Sequence, residues 1–518
     1  MAGRSRRARA AAMPDAALRR GARGAICAAT TSLAREKKES SMQEVELYID
    51  GAWRPAAAGG TITLIDPATE EPVGTAAQAE RADVEAAVAA AVLGFETWRR
   101  VPAWERSNVL RRAARLLAER ADTVAHRLTI EVGKPLAQSK GEVQAAVECI
   151  DWFADEARRI YGQSLPGRNA GNRFEVRYEP VGPVAAFTAW NFPIVLQARK
   201  IAPALAAGCS IVTRPAEEGT GAVKLLIDCF IDAGVPAGVL NLLTGVPQPI
   251  SEAVMEDDRI RKVTFTGSIP VGQWFMRRAA DTVKRMSMEL GGHAPVIVHE
   301  DVDPEKAALL SAQGKARNNG QVCVSPTRFF VHKKHEKKFT ETFAAALSKM
   351  RIGNGLEPST EIGPLINKRR LDFIEKMVSD TVAEGAELLC GGKRPAGFNR
   401  GYFYEPTVFG RVRDEMRIMN DEPFGPLAPV TTFEDFDEVI ERANRLPYGL
   451  AAYVLTGSQK LAAKTAEALE TGIVGVNTFQ AATAEMPFGG VKHSGFGREN
   501  GQQGMLDYLN CKFVNIVL

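Results

Sequence analysis

From Val45 the chain alternates apolar and polar positions in short stretches, LYIDGAW and TITLIDPATEEPVG, interrupted by Asp-Gly and Pro. This pattern predicts brief strands joined by tight turns. From about Ala82 to Ala157 the period changes to alanine-rich segments whose apolar residues recur three and four apart, which predicts amphipathic helices. Beyond them PVGPVAAFTAWNFP, GCSIVTRP and KVTFTGS are short β-rich runs ending in Gly, Pro or Ser, each followed by a helical pattern such as AVKLLIDCFIDAGVP. This alternation predicts an α/β chain with a parallel, doubly wound sheet. A second cycle, from APVIVHEDVD through TRFFVHKK to GIVGVNTF, predicts another α/β domain on its own sheet. The cleft between two such domains is a natural ligand site.

A chain of 518 residues is too long for one core, which agrees with several packed domains. Two segments, 158–180 and the tail from about Gly497 ending in KFVNIVL, read as strands attached to neither core, an exposed edge that a second subunit can cover. The total charge of +3 conceals an asymmetry: ten Lys/Arg against Asp15, Glu36 and Glu39 put +7 on residues 1–41 and leave the body at −4. A mildly acidic body predicts no nucleic-acid or membrane partner and a small-molecule substrate. Residues 1–41 read as a disordered tail, a transit-like peptide or an extension ahead of a start at Met42. They lack the apolar core of a secretory signal, and no run approaches the ~20 apolar residues of a membrane span. Seven widely spaced cysteines without C-x-x-C predict a reducing, cytoplasmic setting. There is no H-E-x-x-H, and His332 and His335 in VHKKHEKK read as a solvated face, so no metal is expected.

Taken alone, Cys323 in NNGQVCVSP reads as a small inert hydrophobe. Its company changes that reading. AWNFP with Asn191 and MELGGHAP with Glu289 lie upstream, and EPFGP with Glu422 and Phe424 lies downstream. In this order the four segments resemble the aldehyde dehydrogenase superfamily, from about Val45 to the C-terminus. The resemblance implies a doubly wound NAD-binding domain (42–157 and 181–291), a second α/β catalytic domain (292–480) and a β oligomerisation arm (158–180 and 497–518) in a homodimer or homotetramer. It also implies oxidation of an aldehyde to an acid with a nicotinamide cofactor. A soft thiolate at Cys323 attacks the carbonyl, and the oxyanion takes hydrogen bonds from the Asn191 side chain and the Cys323 N–H. Hydride leaves, and Glu289 activates the water that hydrolyses the thioester. A carboxylate there fits release of a free acid rather than transfer to coenzyme A.

The cofactor reading rests on FTGSIPVG, which sets Gly267 and Ser268 between a strand and a helix, with Ser268 as N-cap and Pro270 in the first turn. Such a helix N-terminus receives a pyrophosphate. By resemblance Thr188, Trp190 and Gly245 line the same pocket, Glu422 holds the nicotinamide ribose and Phe424 packs on the ring. In TRPAE the family's usual lysine is Arg214. Glu217 should bind the adenosine ribose and repel a 2′-phosphate, favouring NAD, while Arg214 pairing with that phosphate would admit NADP.

Arg199, Arg317 and Thr483 resemble the carboxylate clamp of succinate-semialdehyde dehydrogenases, although each arginine alone reads as a surface or ion-pair residue. ELGGHAPVIV, GQVCVSPTRF and EMPFGGVK also resemble bacterial α-ketoglutaric semialdehyde dehydrogenases. The leading expectation is NAD-dependent conversion of succinate semialdehyde to succinate. An α-ketoglutaric semialdehyde, a broad range of aliphatic aldehydes, and a binding or structural protein on the same scaffold remain open. Val324 and Ser325 follow Cys323, so no vicinal cysteine pair is available there.

Overall fold

The computed structural model describes residues 43–517. The extension 1–41 and the three readings of it lie outside these residues. The alanine-rich region folds into four helices, Arg81–Trp98, Ala103–Glu119, Ala121–Val132 and Leu136–Glu156. The apolar stripes of the last three, including Leu110, Leu117, Leu128, Val143 and Ile150, bury in one cluster together with the helix Pro193–Ala207, whereas Val84, Ala87, Val88 and Ala91 of the first bury in a second cluster. All fifteen residues of that last helix are buried, so it is a core element rather than a surface one.

Two large sheets organise the body. The first has eight strands, ordered 495–496, 285–289, 262–266, 184–187, 211–214, 240–242, 47–49 and 52–54, and its five central strands run parallel. From 184–187 the chain winds outward through 211–214 and 240–242. It then returns to place 262–266 and 285–289 on the other side. The point of reversal lies between 184–187 and 262–266, and in such sheets the crevice beyond the carboxyl ends at that point is where ligands bind.

The second sheet has seven strands, ordered 387–390, 407–410, 427–433, 326–332, 294–298, 451–455 and 473–476, all parallel except at 387–390. Strands 451–455 and 427–433 lie between the predicted ones. They are buried almost throughout, so no alternation of polar residues announces them. A third, three-stranded antiparallel sheet joins 163–166, 172–180 and 509–517.

Two expectations need correcting. Residues 497–508 are not a free strand: the chain forms the helix Gly501–Leu506 against the core and buries Glu499, and the outlying strand begins at Leu509. His335 is not on a solvated face either, being buried with its Nε2 2.9 Å from the Glu300 carbonyl. A ring nitrogen that finds a backbone partner makes burial tolerable where the surrounding lysines suggested solvent. Among the described residues no cluster of three or more His, Cys, Asp or Glu is arranged to hold a metal ion, and no helix is long and apolar enough to cross a membrane.

Candidate active site

The carboxyl edge of the first sheet faces the amino edge of the second, and the four family-like segments meet there. Strand 285–289 ends at Glu289, Leu290–His293 crosses over, and Ala294 begins the second sheet. Cys323 lies three residues before Pro326, where the neighbouring strand starts. Asn191 follows strand 184–187 and precedes the buried helix that carries Arg199.

The loop bearing Cys323 is set by backbone conformation. Asn318, Asn319 and Gly320 have φ of 45°, 53° and 72°, a left-handed run that reverses the chain after the helix Pro304–Ala316. Asparagine tolerates this region better than most residues. Side chains then fix the loop. Gln321 Oε1 accepts from Ile366 N at 2.9 Å, and the Tyr453 hydroxyl donates to the Val324 carbonyl at 2.5 Å. Asn191 Nδ2 donates to the Gln321 carbonyl at 3.2 Å, two residues before the cysteine. An amide nitrogen has two hydrogens, so this anchor leaves one to donate toward a substrate oxygen.

Electrostatics place four charged side chains around the thiol. Burial first, then Glu422 and Glu289, push the Cys323 thiol up to about 12 against the opposing Arg199 and Arg317. Glu289 is itself buried, with Oε2 lacking a hydrogen-bond partner. Burial first, then Glu499, holds its carboxyl well above the usual range, against Lys200, Arg199 and Arg498. A buried carboxyl with an unsatisfied oxygen beside a half-buried thiol holds a proton more tightly than a solvated one, as a group that takes a proton must. A side chain at Gly489 would come within 2.7 Å of Glu289 Oε1, so the EMPFGG segment closes directly on this carboxyl.

Among the described residues neither Arg199 nor Arg317 has an ion-pair partner. The Arg199 guanidinium lies over the Phe488 ring at 4.6 Å, and its Nε is buried without a partner. Arg317 lies over Phe192 at 5.0 Å. Its side chain is open to solvent, yet enough protein surrounds it to lower its pKa. Thr483 is half-buried, with its carbonyl accepting from Asn500 Nδ2 at 2.9 Å.

Of the residues expected at the cofactor, Thr188, Trp190, Arg214, Glu217, Gly245, Gly267 and Ser268 lie at or just beyond carboxyl ends of first-sheet strands, and Glu422 and Phe424 precede strand 427–433 of the second. Thr188 N–H donates to the Arg214 carbonyl at 3.2 Å, and the Thr188 hydroxyl accepts from Gln197 at 2.8 Å. Ser268 occupies the N-cap position of the helix Ile269–Ala280, but its hydroxyl makes no capping bond. That hydroxyl and the helix N-terminus are free to receive a phosphate group, so the donor set fits a dinucleotide. Arg214 donates to the Gly245 carbonyl at 2.6 Å and pairs with Glu217 at 3.0 Å. Glu422 Oε1 accepts from Gly292 N at 3.2 Å, and burial pushes this carboxyl up to about 7. Trp190 and Phe424 meet edge to face at 5.5 Å, with Phe424 in the left-handed region at φ 44°.

Several charged residues of the site carry no local signal in the sequence. Arg370 lies 5.6 Å from the Phe424 ring and acts on Glu422, while the buried amine of Lys315, brought down to about 7, acts on the same carboxyl. Behind Glu289, the buried Lys200 pairs with Glu499 at 2.6 Å and donates to Thr264 at 3.0 Å. A charged residue between apolar segments reads as solvated unless its distant partner is known.

Fold and site together set a half-buried thiol, Cys323, at the edge of a doubly wound sheet whose donors fit a dinucleotide, as in an oxidoreductase. The model of the aldehyde dehydrogenase family matches residues 53–514. The 3-sulfolactaldehyde dehydrogenase of Pseudomonas putida is 42% identical over 92% of this chain and 98% of its own. The NADP(+) succinate-semialdehyde dehydrogenase of Escherichia coli strain K12 is 39% identical over 93% of this chain and 99% of its own. The NAD+ complex of an aldehyde dehydrogenase from Bacillus cereus superposes with a TM-score of 0.90 at 35% identity, covering 93% of this chain and 98% of that one. The chain belongs to the aldehyde dehydrogenase family and acts on aldehydes with a nicotinamide dinucleotide.

Proposed function

We propose that the protein oxidises an aldehyde bearing a second, remote anionic group, with succinate semialdehyde to succinate as the leading reaction. The observation that carries this reading is the pair Arg199 and Arg317, two guanidinium groups beside Cys323 that have no ion-paired carboxylate among the described residues. A partly buried cation without a counter-ion is costly unless a ligand supplies the charge, and guanidinium binds carboxylate bidentately. Relatives named for succinate-semialdehyde and glutarate-semialdehyde activity agree with it. A terminal sulfonate is the second reading, favoured by the 3-sulfolactaldehyde relative, because its oxygens suit the same two cations.

In this reading Cys323, having lost its proton to solvent, bonds as thiolate through Sγ to the carbonyl carbon, and the oxygen takes its hydrogen bonds from Asn191 Nδ2 and the Cys323 N–H. The nicotinamide, when bound, accepts hydride from that carbon. Glu289 then takes a proton from water attacking the thioester, and the free acid departs as Cys323 regains its proton. Arg199→Ala and Arg317→Ala should each cut kcat/KM for succinate semialdehyde by about 10-fold to 100-fold, the worth of a hydrogen bond to a charged group, and leave propanal unaffected. Steady-state kinetics with succinate, α-ketoglutaric and glutarate semialdehydes, 3-sulfolactaldehyde and propanal would decide it. Equal losses on propanal would reject the clamp.

We propose NAD as the preferred cofactor, because Glu217 occupies the Arg214 guanidinium that a 2′-phosphate would need. Glu217→Ser frees that cation and should raise kcat/KM with NADP by about 10-fold; no gain would exclude Glu217 as the selector. The exposed Phe513 and Val517 on strand 509–517 support reading the three-stranded sheet as an arm that a second copy covers in a dimer or tetramer.

A further inference from the structure

Asn191 is held from behind by a buried charged pair. The helix Ala121–Val132 ends on Gly133, whose φ of +80° places it in the left-handed region, and Pro135 precedes the next helix. The Gly-Lys-Pro link turns Lys134 inward, where it is 2% exposed. Lys134 Nζ donates to the Asn191 carbonyl at 2.7 Å and pairs with Glu142, which is also buried. Glu142 Oε1 accepts from Ile194 N at 2.8 Å and Val195 N at 3.3 Å, the first free N–H groups of the helix that Asn191 leads into. A carboxylate there caps the helix and satisfies its positive end.

The same carbonyl receives a second donor from the cysteine loop. Asn318 Nδ2 lies 3.1 Å from the Asn191 carbonyl and 3.2 Å from the Gln321 carbonyl, to which Asn191 Nδ2 also donates. The Phe192 ring completes the link: Lys134 Nζ stands 4.0 Å from its centroid, and the Arg317 guanidinium stands 5.0 Å from it. One ring therefore couples the buried pair to the proposed anion clamp.

We infer that Lys134 and Glu142 are positioning residues that fix the Asn191 amide for the developing oxyanion and act on turnover through it. The inference rests on the reading of Asn191 as the oxyanion donor. A donor stabilises the transition state only where the charge forms, and a displacement of about 1 Å can cost on the order of 10²-fold in rate. A lysine and a carboxylate that merely stabilised the fold would not need to share one peptide carbonyl with the loop of the nucleophile.

The test is a double-mutant cycle on the full-length enzyme with its cofactor. Replacing Lys134 alone leaves Glu142 buried and unpaired, which threatens folding, so Lys134→Met/Glu142→Gln removes both charges together. Thermal melting and cofactor binding should show that this variant is folded. Expected is a fall in kcat of about 10-fold to 100-fold with KM for the aldehyde unchanged. In an Asn191→Ala background the same pair of substitutions should lower kcat by less than about twofold further, because the three residues act through one group. Losses that multiply in the cycle, or a rise in KM without a fall in kcat, would overturn the inference alone. Wild-type turnover in Asn191→Ala would overturn the oxyanion reading and this inference with it.

Discussion

Cys323→Ala is expected to lower formation of reduced cofactor from succinate semialdehyde by at least about 10⁴-fold, the scale on which loss of a nucleophile acts. No other described thiol can stand in. Cys149, Cys209 and Cys229 are buried, with burial pushing the first up to about 12 and the other two to about 11, and none is among the groups acting on Glu289. Cys511 lies on the outlying strand 509–517, and Cys390 is half-buried on the far edge strand of the second sheet. With burial and two carboxylates holding the Cys323 thiol near 12, only a small fraction is thiolate at neutral pH in the free enzyme. Alkylation by iodoacetamide should therefore be slow at pH 7 and rise roughly tenfold per pH unit over the alkaline range. Absorbance of the reduced cofactor and intact mass after alkylation check both statements. Retention of a substantial part of wild-type turnover in Cys323→Ala would remove the nucleophile assignment.

Glu289→Gln is expected to reduce kcat by on the order of 10²-fold to 10⁴-fold, the range over which a general base contributes. Attack by Cys323 does not require Glu289 in the reading above, so the first turnover should survive: one equivalent of reduced cofactor in a burst, then slow hydrolysis of a thioester visible by mass spectrometry. The sign of the pH effect follows from the raised pKa. Glu289 works as a base only once deprotonated, so wild-type turnover should climb as pH rises through its elevated pKa. The glutamine variant, having no group to titrate there, should lose that limb. A wild-type profile flat across the neutral and alkaline range, or a variant with no burst and no trapped thioester, would remove Glu289 from the deacylation step.

How far the site was legible in the sequence depends on the residue. Asn191, Glu289, Cys323 and Glu422 stand at the ends of strands or in turns whose Gly and Pro punctuation is visible locally, so their segments could be read as a set. Ser268 was placed correctly as an N-cap by position, but the absence of its capping bond, which leaves its hydroxyl for a phosphate, is a matter of geometry. The Arg214 guanidinium pairs with Glu217 and donates to the Gly245 carbonyl, the latter a contact across 31 positions that no local pattern shows.

The sequence by itself determined the alternation of strands and helices, the two α/β cycles and the residue types able to attack, stabilise an oxyanion and take a proton. These are properties of short windows, because helical and strand periods and turn residues act over a few positions. Only the tertiary structure decided which charges are buried together and what they do to one another. Lys134 reaches Asn191 across 57 positions, and Lys200 reaches Glu499 across 299. The pKa of Cys323 and of Glu289 depends on such contacts, since both desolvation and the neighbouring charges arise only when distant segments pack. The same holds for Arg199 and Arg317: the chain supplies two arginines, and the fold brings them unpaired to one thiol.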